Sequence, residues 1–266
     1  MPNLEILAQH NRERLAKAKE QYLGKTFSSN NFGDFIVIDY VNNKDITVEF
    51  IATGYRTKTT TKEINQGKIA DRLKPSVFGV GVIGTKYPTT INRKSTKHYV
   101  LWKSMLERCF GNNNHKPSVS YKSCSVNDNF KYYTYFYEWC NEQIGFNDGF
   151  NLDKDLLVKG NKVYSEDSCV FLPQEINSLL VKRTASRGEH LIGVHWCKTH
   201  KAFVAQVRKN KGKQEHLGYF NTELEAFNAY KVAKESFIKE QANKWQSQID
   251  PRAYNALMKY AVGITD

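Results

Sequence analysis

The first third of the chain changes from a helical to a strand-like pattern of apolar positions. Between residues 4 and 22, leucine, alanine and tyrosine recur at helical spacing among Arg, Lys and Glu, which predicts a helix. Two runs of alternating apolar and polar residues follow, at residues 34–40 and 45–51. The Asn-rich segment 41–44 between them favours a β-hairpin. We therefore expect an N-terminal helix followed by a small β module.

The middle of the chain, residues 85–181, opens with a polar, basic segment that we interpret as a linker. Apolar residues then recur at helical spacing over residues 98–110, and rows of Phe, Tyr and Trp do so over residues 130–144. Residues 150–180 predict two short strands, a turn between them and a helix that opens at Pro173. This region therefore predicts two aromatic helices and one ββα unit.

The last part of the chain predicts a sheet followed by a helix. Residues 190–197, 202–208 and 215–220 form three strand-like runs joined by basic turns. Thr222 and Glu225 stand three residues apart, the spacing of a capping box that opens a helix. The inner side of this helix is predicted to carry Leu224, Ala226, Phe227, Tyr230, Ala233 and Phe237.

Together these patterns predict a modular α+β protein in three parts. The N-terminal helix and small β module occupy residues 1–84, and the central ββα unit with its helices occupies residues 85–181. Residues 188–266 form a three-stranded antiparallel sheet packed on a helix, with further C-terminal helices.

Charge is concentrated near the predicted C-terminal sheet. The 266-residue chain has a formal net charge of +12 and a sequence pI near 9.3. Residues 182–216 carry nine Lys and Arg against only Glu189 and Glu215, so this segment supplies +7 of the +12. A basic balance also fits ribosomal or lipid-surface proteins, but this concentration favours a nucleic acid as partner, because cations that neutralise phosphates release counterions.

Several classes of protein are disfavoured by the same sequence. No apolar run approaches the roughly 18 residues of a membrane helix. The N-terminus lacks the basic and then apolar pattern of a signal peptide. The five cysteines are scattered singly without a Cys-x-x-Cys pair, which argues against a structural zinc cluster and for reduced, buried thiols. We expect a cytoplasmic protein without a membrane partner.

The predicted C-terminal sheet leaves one face free for a ligand. Strand alternation places His195, Gln206 and Arg208 on that face, with Lys201 at its edge. A sheet or β-ribbon can enter the major groove of duplex DNA, where Arg pairs with guanine and Gln with adenine. The alternative for a small sheet of this kind is that it binds another protein.

About 50 residues of this region resemble the plant ethylene-response-factor type of DNA-binding domain, which also occurs inside phage endonucleases. The resemblance implies a sheet laid in the major groove of double-stranded DNA. The arginine-rich first strand of that family is here His195-Trp196-Cys197-Lys198, so the recognised bases cannot be carried over. The matching residues are Gly193-Val194, Phe203–Arg208, Leu217–Thr222, Glu225-Ala226, Ala229-Tyr230 and Ala233. The predicted DNA-binding residues are Arg187, His195, Trp196, Lys198, Lys201, Gln206, Arg208, Lys211 and Lys213.

Two acidic residues mark the central ββα unit as a candidate metal site. Asp153 and Asp155 are two positions apart in a predicted strand, so their carboxylates would share one face and supply hard oxygen ligands for Mg²⁺. A divalent cation of this kind stabilises the leaving oxygen in phosphodiester hydrolysis. Lys154 between them would approach a phosphate.

The same region resembles the core of phage HNH (His-Me finger) endonucleases, over roughly 80 residues. The resemblance implies a metal-dependent, homing-type DNA endonuclease, located in the host cytoplasm if the chain is phage-encoded. No histidine lies between residues 116 and 189, where the family's general base is expected; His98 and His115 are the remaining candidates nearby. The motif residues are Leu152–Asp155, Gly160–Ser165, Cys169–Pro173 and Asn177. The predicted catalytic residues are Asp153, Asp155, Asn161 and Asn177, with Asp153 and Asp155 as metal ligands.

Three functions therefore stay open at this point. The first is a sequence-specific, Mg²⁺-dependent DNA endonuclease, and the second is a catalytically inactive HNH-like regulator that binds DNA without cutting it. The third is an RNA-binding module whose aromatic rows stack on single strands.

Overall fold

The computed structural model of the chain describes residues 2–111, 123–181, 189–210 and 213–264. It is a mixed α+β structure, as the sequence predicts, with helices and several small sheets. The described residues divide into two compact units. The first unit comprises residues up to 111 together with 128–137, and the second comprises the remaining described residues. Within these ranges, no helix has the length and apolar character needed to cross a bilayer.

The first unit begins with the predicted helix and small β module. The helix ends at Tyr22, whose buried ring stacks on Phe27 and Tyr40 with centroid distances of 5.6 and 5.8 Å. The predicted hairpin is confirmed and turns at Asn43-Lys44. Four antiparallel strands pair in chain order. The elements are α1 (Pro2–Tyr22), β1 (Thr26–Ser29), β2 (Gly33–Asn42), β3 (Asp45–Phe50), β4 (Arg56–Thr59) and α2 (Thr61–Gln66).

The segment predicted as a basic linker contains a small hairpin instead. Strands β5 (Thr90–Ile91) and β6 (Lys94–Ser95) pair in antiparallel register. Asn92 and Arg93 between them both have positive φ, at 48° and 63°. Two successive left-handed residues are typical of a type I′ turn, whose twist matches that of the paired strands. The turn at Asn92-Arg93 therefore allows two short strands to pair in a segment where the pattern of apolar residues predicts no strand.

Buried aromatic side chains form the core of the two helices that follow the hairpin. Trp102 of α3 (Lys97–Phe110) is fully buried, and its Nε1 donates to the Phe130 carbonyl over 2.8 Å. Tyr133, the first residue of α4 (Tyr133–Glu142), is also fully buried. Trp102 and Tyr133 therefore serve as packing residues, whereas Tyr135 of α4 is 37% exposed.

The second unit contains the predicted order of strand, strand and helix. Strand β8 (Asn151–Asp153) pairs antiparallel with β10 (Val170–Leu172), and α5 (Gln174–Leu180) begins directly after Pro173. A second pair, β7 (Ser125–Val126) with β9 (Val163–Tyr164), is parallel. The core here is completed by two C-terminal helices, α6 (Glu223–Trp245) and α7 (Pro251–Met258).

The three predicted C-terminal strands are confirmed as β11 (Val194–Cys197), β12 (Ala202–Asn210) and β13 (Lys213–Phe220), paired in that order. The capping box of α6 is also confirmed: Thr222 Oγ1 accepts from the Glu225 amide, and the Glu225 carboxylate accepts from the Thr222 amide. On α6, the side chains that pack on the sheet are Ala226, Phe227, Tyr230, Ala229 and Ala233.

One predicted core residue of α6 is wrong. Leu224 is 55% exposed, whereas Ala226 is fully buried. Residues two apart lie about 200° apart around a helix. Because Ala226 faces the sheet, Leu224 necessarily points away from it.

Gly193 lets β11 approach α6. Its φ is 78°, and a Cβ at this position would lie 2.1 Å from a ring carbon of Tyr230. We expect Gly193→Ala to lower the free energy of unfolding by about 2–4 kcal/mol. About 1 kcal/mol comes from the left-handed backbone and the rest from overpacking. Urea unfolding followed by tryptophan fluorescence measures this change.

Gly160 provides the matched control for this prediction. Its φ of 79° is nearly the same, but nothing lies within 4 Å of a Cβ added there. Gly160→Ala should therefore lose only the backbone contribution, about 1 kcal/mol. Equal losses in the two variants would show that the approach to Tyr230 is unimportant.

Candidate functional site

The two faces of the C-terminal sheet differ in what covers them. On β12, Phe203, Ala205 and Val207 point to the face that packs against α6. The intervening residues, including Gln206 and Arg208, therefore point to the opposite face. That second face, which we call the free face, carries both of these predicted DNA-binding side chains.

The strands that flank β12 add polar rings to the free face. His195 of β11 and Tyr219 of β13 are both paired with Val204, so all three lie on this face. His195 is exposed, and Tyr219 is 49% exposed. His216 is paired with Gln206 and is exposed as well.

A β-bulge in β13 brings His216 and Tyr219 to the same face. Ala205 pairs with Gly218 but the next residue of β12, Gln206, pairs with His216, so one extra residue lies in β13. Gly218 has a φ of 136°, which glycine adopts without strain. The ring centroids of His216 and Tyr219 are 4.8 Å apart. Simple alternation would place these rings on opposite faces, and the glycine inside the strand is the sequence signal for the bulge.

A third histidine joins this group from the turn before β12. The His200 ring lies 4.2 Å from that of Tyr219, and its Nδ1 lies 3.3 Å from Sγ of Cys197. The turn also holds two predicted DNA-binding residues, Lys198 and Lys201, both exposed. The sequence reasoning missed His200, His216 and Tyr219 as members of the face.

The predicted DNA-binding residue Trp196 does not lie on the free face. It is paired with Phe203, and the two rings meet edge to face at 4.9 Å between centroids. Because Phe203 packs toward α6, Trp196 lies at the border of the helix-covered face and not beside His195. Lys213 begins β13, but its side chain is not described, and Arg187 and Lys211 lie outside the described residues.

The acidic residue of β13 lies on the other side of the sheet. Glu215 is paired with Val207, which faces α6, and its carboxylate is 2.7 Å from the Lys209 ammonium. Arg208, the residue before Lys209, is exposed on the free face. In the described strands, the free face therefore combines one arginine, histidines, amides and a tyrosine hydroxyl without a carboxylate.

In the central unit, the predicted arrangement of Asp153 and Asp155 is wrong. Strand β8 ends at Asp153, so the two carboxylates do not alternate along one strand. The Oδ1 atom of Asp153 accepts from the amides of Asp155 and Leu156, at 2.9 and 2.8 Å. An aspartate that accepts from the amide two residues ahead turns the chain, which is why the strand stops here.

Lys154 is buried within this turn and does not reach toward solvent as the sequence suggests. It is 5% exposed, and its Nζ donates to Oδ1 of Asp155 at 2.6 Å and to the carbonyl of Asn161 at 3.0 Å. The ring of Tyr164 lies 5.7 Å from the same ammonium. A buried ammonium needs such partners, since an unpaired charge is costly away from water.

The two predicted catalytic asparagines have different environments. Asn161 donates from Nδ2 to the carbonyls of Lys154 and Val163 and accepts at Oδ1 from the Val163 amide. It therefore closes the loop between β8 and β9. Asn177 lies on α5, half-buried, and its side chain forms no hydrogen bond with the part of the chain that the structure describes.

Burial changes the pKa of Asp153 and of the nearby Cys169. It raises the pKa of Asp153, although hydrogen bonds from the Leu156 and Asp155 amides act in the opposite direction. Burial also raises the pKa of the Cys169 thiol to about 12. In both groups burial disfavours the charged form, since an ionised group is costly away from water.

The two carboxylates for which Mg²⁺ was predicted already have partners within the chain. Asp153 is used by backbone amides, and Asp155 is used by Lys154, which already supplies a positive charge. Among the described residues, no group of three or more His, Cys, Asp or Glu side chains is placed to hold a metal ion. All five cysteines are free thiols, and Cys124, Cys140 and Cys169 are buried, as the sequence predicts for most of them.

Comparison of the chain with protein-family models, with curated proteins and with solved structures finds no match.

The two aspartates of the turn should respond to substitution in opposite ways. At neutral pH we expect Asp155→Ala to lower the free energy of unfolding by about 1–3 kcal/mol, because the buried Lys154 loses its carboxylate partner. Asp153→Asn should leave stability unchanged or raise it. Asparagine keeps the oxygen that accepts both amides and removes a carboxylate whose ionisation the fold disfavours.

The pH dependence of the Asp153 effect has a defined sign. A raised pKa in the folded state stabilises the fold fully below the ordinary carboxyl value of 3.8, and this contribution is lost as the pH rises through the raised pKa. Any advantage of Asp153→Asn at neutral pH should therefore shrink on acidification. Urea unfolding of the wild type and the variant, at neutral pH and at a pH below 3.8, measures this change in the free energy of unfolding. If Asp153→Asn lowers the free energy of unfolding more than Asp155→Ala does at neutral pH, the role given to Asp153 is wrong.

Proposed function

We propose that this protein binds double-stranded DNA with sequence preference through the free face of its C-terminal sheet. The observation that carries the proposal is the composition of that face. Arg208, Gln206, His195 and His216 present donors and acceptors from three strands, and the acidic Glu215 is turned to the opposite side. Arg and Gln are the residues that pair most specifically with guanine and adenine in the major groove.

Duplex DNA fits this face better than the other candidate partners. A sheet enters the wide major groove of B-form DNA, whereas the major groove of an RNA duplex is too narrow for side chains to read. The resemblance to the ethylene-response-factor type of domain supports the same choice.

The central ββα unit acts in this proposal as a scaffold for DNA binding. Its turn is held by Asp153, Asp155 and Asn161, and Lys154 supplies the positive charge in that turn. These side chains satisfy one another, so the turn is stable without an added cation. This supports the HNH-like regulator that binds DNA without cleaving it.

The first test compares two adjacent basic residues that lie on opposite faces of β12. A duplex enriched by the wild-type protein from a random pool serves as the preferred site. We expect Arg208→Ala to weaken binding to this site by about 1–3 kcal/mol while changing binding to random DNA much less. Fluorescence anisotropy on the two duplexes measures both affinities.

Lys209→Ala is the matched control for Arg208→Ala. It removes the same charge from the neighbouring position, on the side of the sheet that faces α6, where Glu215 already pairs with it. It should leave the ratio of preferred to random affinity unchanged. If Arg208→Ala also leaves that ratio unchanged, the free face does not read bases.

A DNA endonuclease is the second candidate, because β8, β10 and α5 have the ββα order of the HNH-like family. On the scaffold proposal, wild-type protein should bind its preferred duplex without nicking it in Mg²⁺ or Mn²⁺. The measurement is conversion of a supercoiled plasmid that carries the preferred site. Nicking by the wild type that Asp153→Ala abolishes, with an unchanged melting temperature, would instead establish the nuclease.

A further inference from the structure

The hairpin formed by β5 and β6 is an exposed element that the proposed function does not use. Residues 90–95 are all exposed, and Ile91, at 57%, is opposite Lys94 in the strand pair. Arg93 occupies the second position of the turn. Neither Arg93 nor Lys94 forms an ion pair within the described residues.

The base of this hairpin is fixed firmly to the first unit. The Thr96 amide donates to the Thr89 carbonyl at 2.9 Å. The hydroxyl of the buried Tyr133 lies 2.9 Å from Oγ1 of Thr96 and donates to the Pro88 carbonyl at 3.1 Å. Tyr87 stacks on Tyr137 with a centroid distance of 3.9 Å. The tip is therefore exposed, while its position is set by buried contacts.

The turn contains a strained arginine at a position where glycine would be unstrained. The second position of a type I′ turn is left-handed and strongly favours glycine, yet Arg93 adopts a φ of 63° there. A non-glycine residue in this conformation costs stability, and such strain is concentrated at functional positions. A strained position that carries a long, exposed cation is therefore a candidate for a ligand contact.

The surroundings of the hairpin are uniformly positive in sequence. Residues 72–106 contain seven Lys and Arg and no Asp or Glu. Two of the seven form hydrogen bonds with backbone carbonyls. Arg72 donates to the carbonyls of Gly84 and Tyr87, and Lys74 donates to the carbonyl of Phe32. Arg93 and Lys94 remain at the tip.

Other exposed basic residues of the same unit are arranged differently. Arg56 of β4 pairs with Glu49 of β3, and Lys58 pairs with Asp45 at 2.7 Å. These cations are neutralised by carboxylates across the strands. The contrast shows that the unit balances positive charge on its main sheet and leaves it unbalanced on the hairpin.

We propose that the β5–β6 hairpin is a second DNA-binding element, which holds phosphates of a duplex through Arg93 and Lys94 without reading bases. The proposal rests on duplex DNA being the partner of the C-terminal sheet. Phosphate contacts add affinity and fix position on the duplex, whereas base contacts give specificity. The two elements would then contact duplex DNA in different roles.

The test uses the full chain and the double variant Arg93→Gly/Lys94→Gln. We expect its affinity for both preferred and random duplexes to fall about tenfold, and the slope of log K against log salt to become shallower by about 2, since two phosphate contacts are lost. The preference between the duplexes should stay unchanged. The melting temperature of Arg93→Gly alone should rise, because glycine relieves the strained turn.

The control is Arg56→Gln/Lys58→Gln, which removes the same charge from the main sheet and should leave affinity and salt slope near the wild-type values. If the hairpin variant behaves like this control while Arg208→Ala still loses its preference, the hairpin proposal is wrong and the proposed function stands. If the wild-type chain binds no duplex DNA, both are wrong. A larger loss on duplex RNA than on duplex DNA would also overturn the hairpin proposal, since it would identify RNA as the partner.

Discussion

The packing of α6 against one face of the C-terminal sheet determines which side chains can meet a ligand. Tyr230, Phe227 and Ala226 cover the alternate residues of β12, and Gly193 permits the close approach of β11 to Tyr230. Since side chains alternate along a strand, covering one set of residues exposes the other. Because α6 covers only one face of the sheet, Arg208 is exposed on the free face, whereas Lys209 pairs with Glu215 on the opposite side.

In the central unit, the charged side chains of the turn after β8 pair with one another and hold the loop. The turn after β8 has the carboxylates and the asparagine that a metal site needs. A buried lysine lies between them, held by Asp155 and the Asn161 carbonyl. A buried cation of this kind favours retention of its carboxylate partner for stability alone, because removing either member leaves an uncompensated charge. Carboxylate spacing in a sequence therefore does not distinguish a metal site from a salt-bridged turn.

Positive charge has two distinct arrangements in the molecule. On the N-terminal sheet, lysine and arginine are balanced by carboxylates on the neighbouring strand. On the β5–β6 hairpin and on the free face of the C-terminal sheet, the described cations have no such balance. The net charge of +12 is consequently a poor guide by itself, and the pairing of each cation shows where a polyanion would be attracted.

The sequence alone determined the larger elements of this protein. Its helical periodicity, strand alternation and the Thr222 to Glu225 capping box correctly predicted α1, the β2–β3 hairpin, the ββα order and the C-terminal sheet with α6. These signals are local, so they survive without knowledge of distant contacts. The placement of His195, Gln206 and Arg208 on one face also followed from alternation within regular strands.

Where a bulge or a turn interrupts strand alternation, only the tertiary structure decided which side chains share a surface. The bulge at Gly218 moved Tyr219 beside His216, and the cross-strand pair with Phe203 placed Trp196 on the other face. The turn at Asp153 separated two aspartates that a continued strand would have aligned. Each of these outcomes depends on hydrogen bonds or packing that the alternation of a single strand does not encode, which is the physical reason that alternation alone could not predict them.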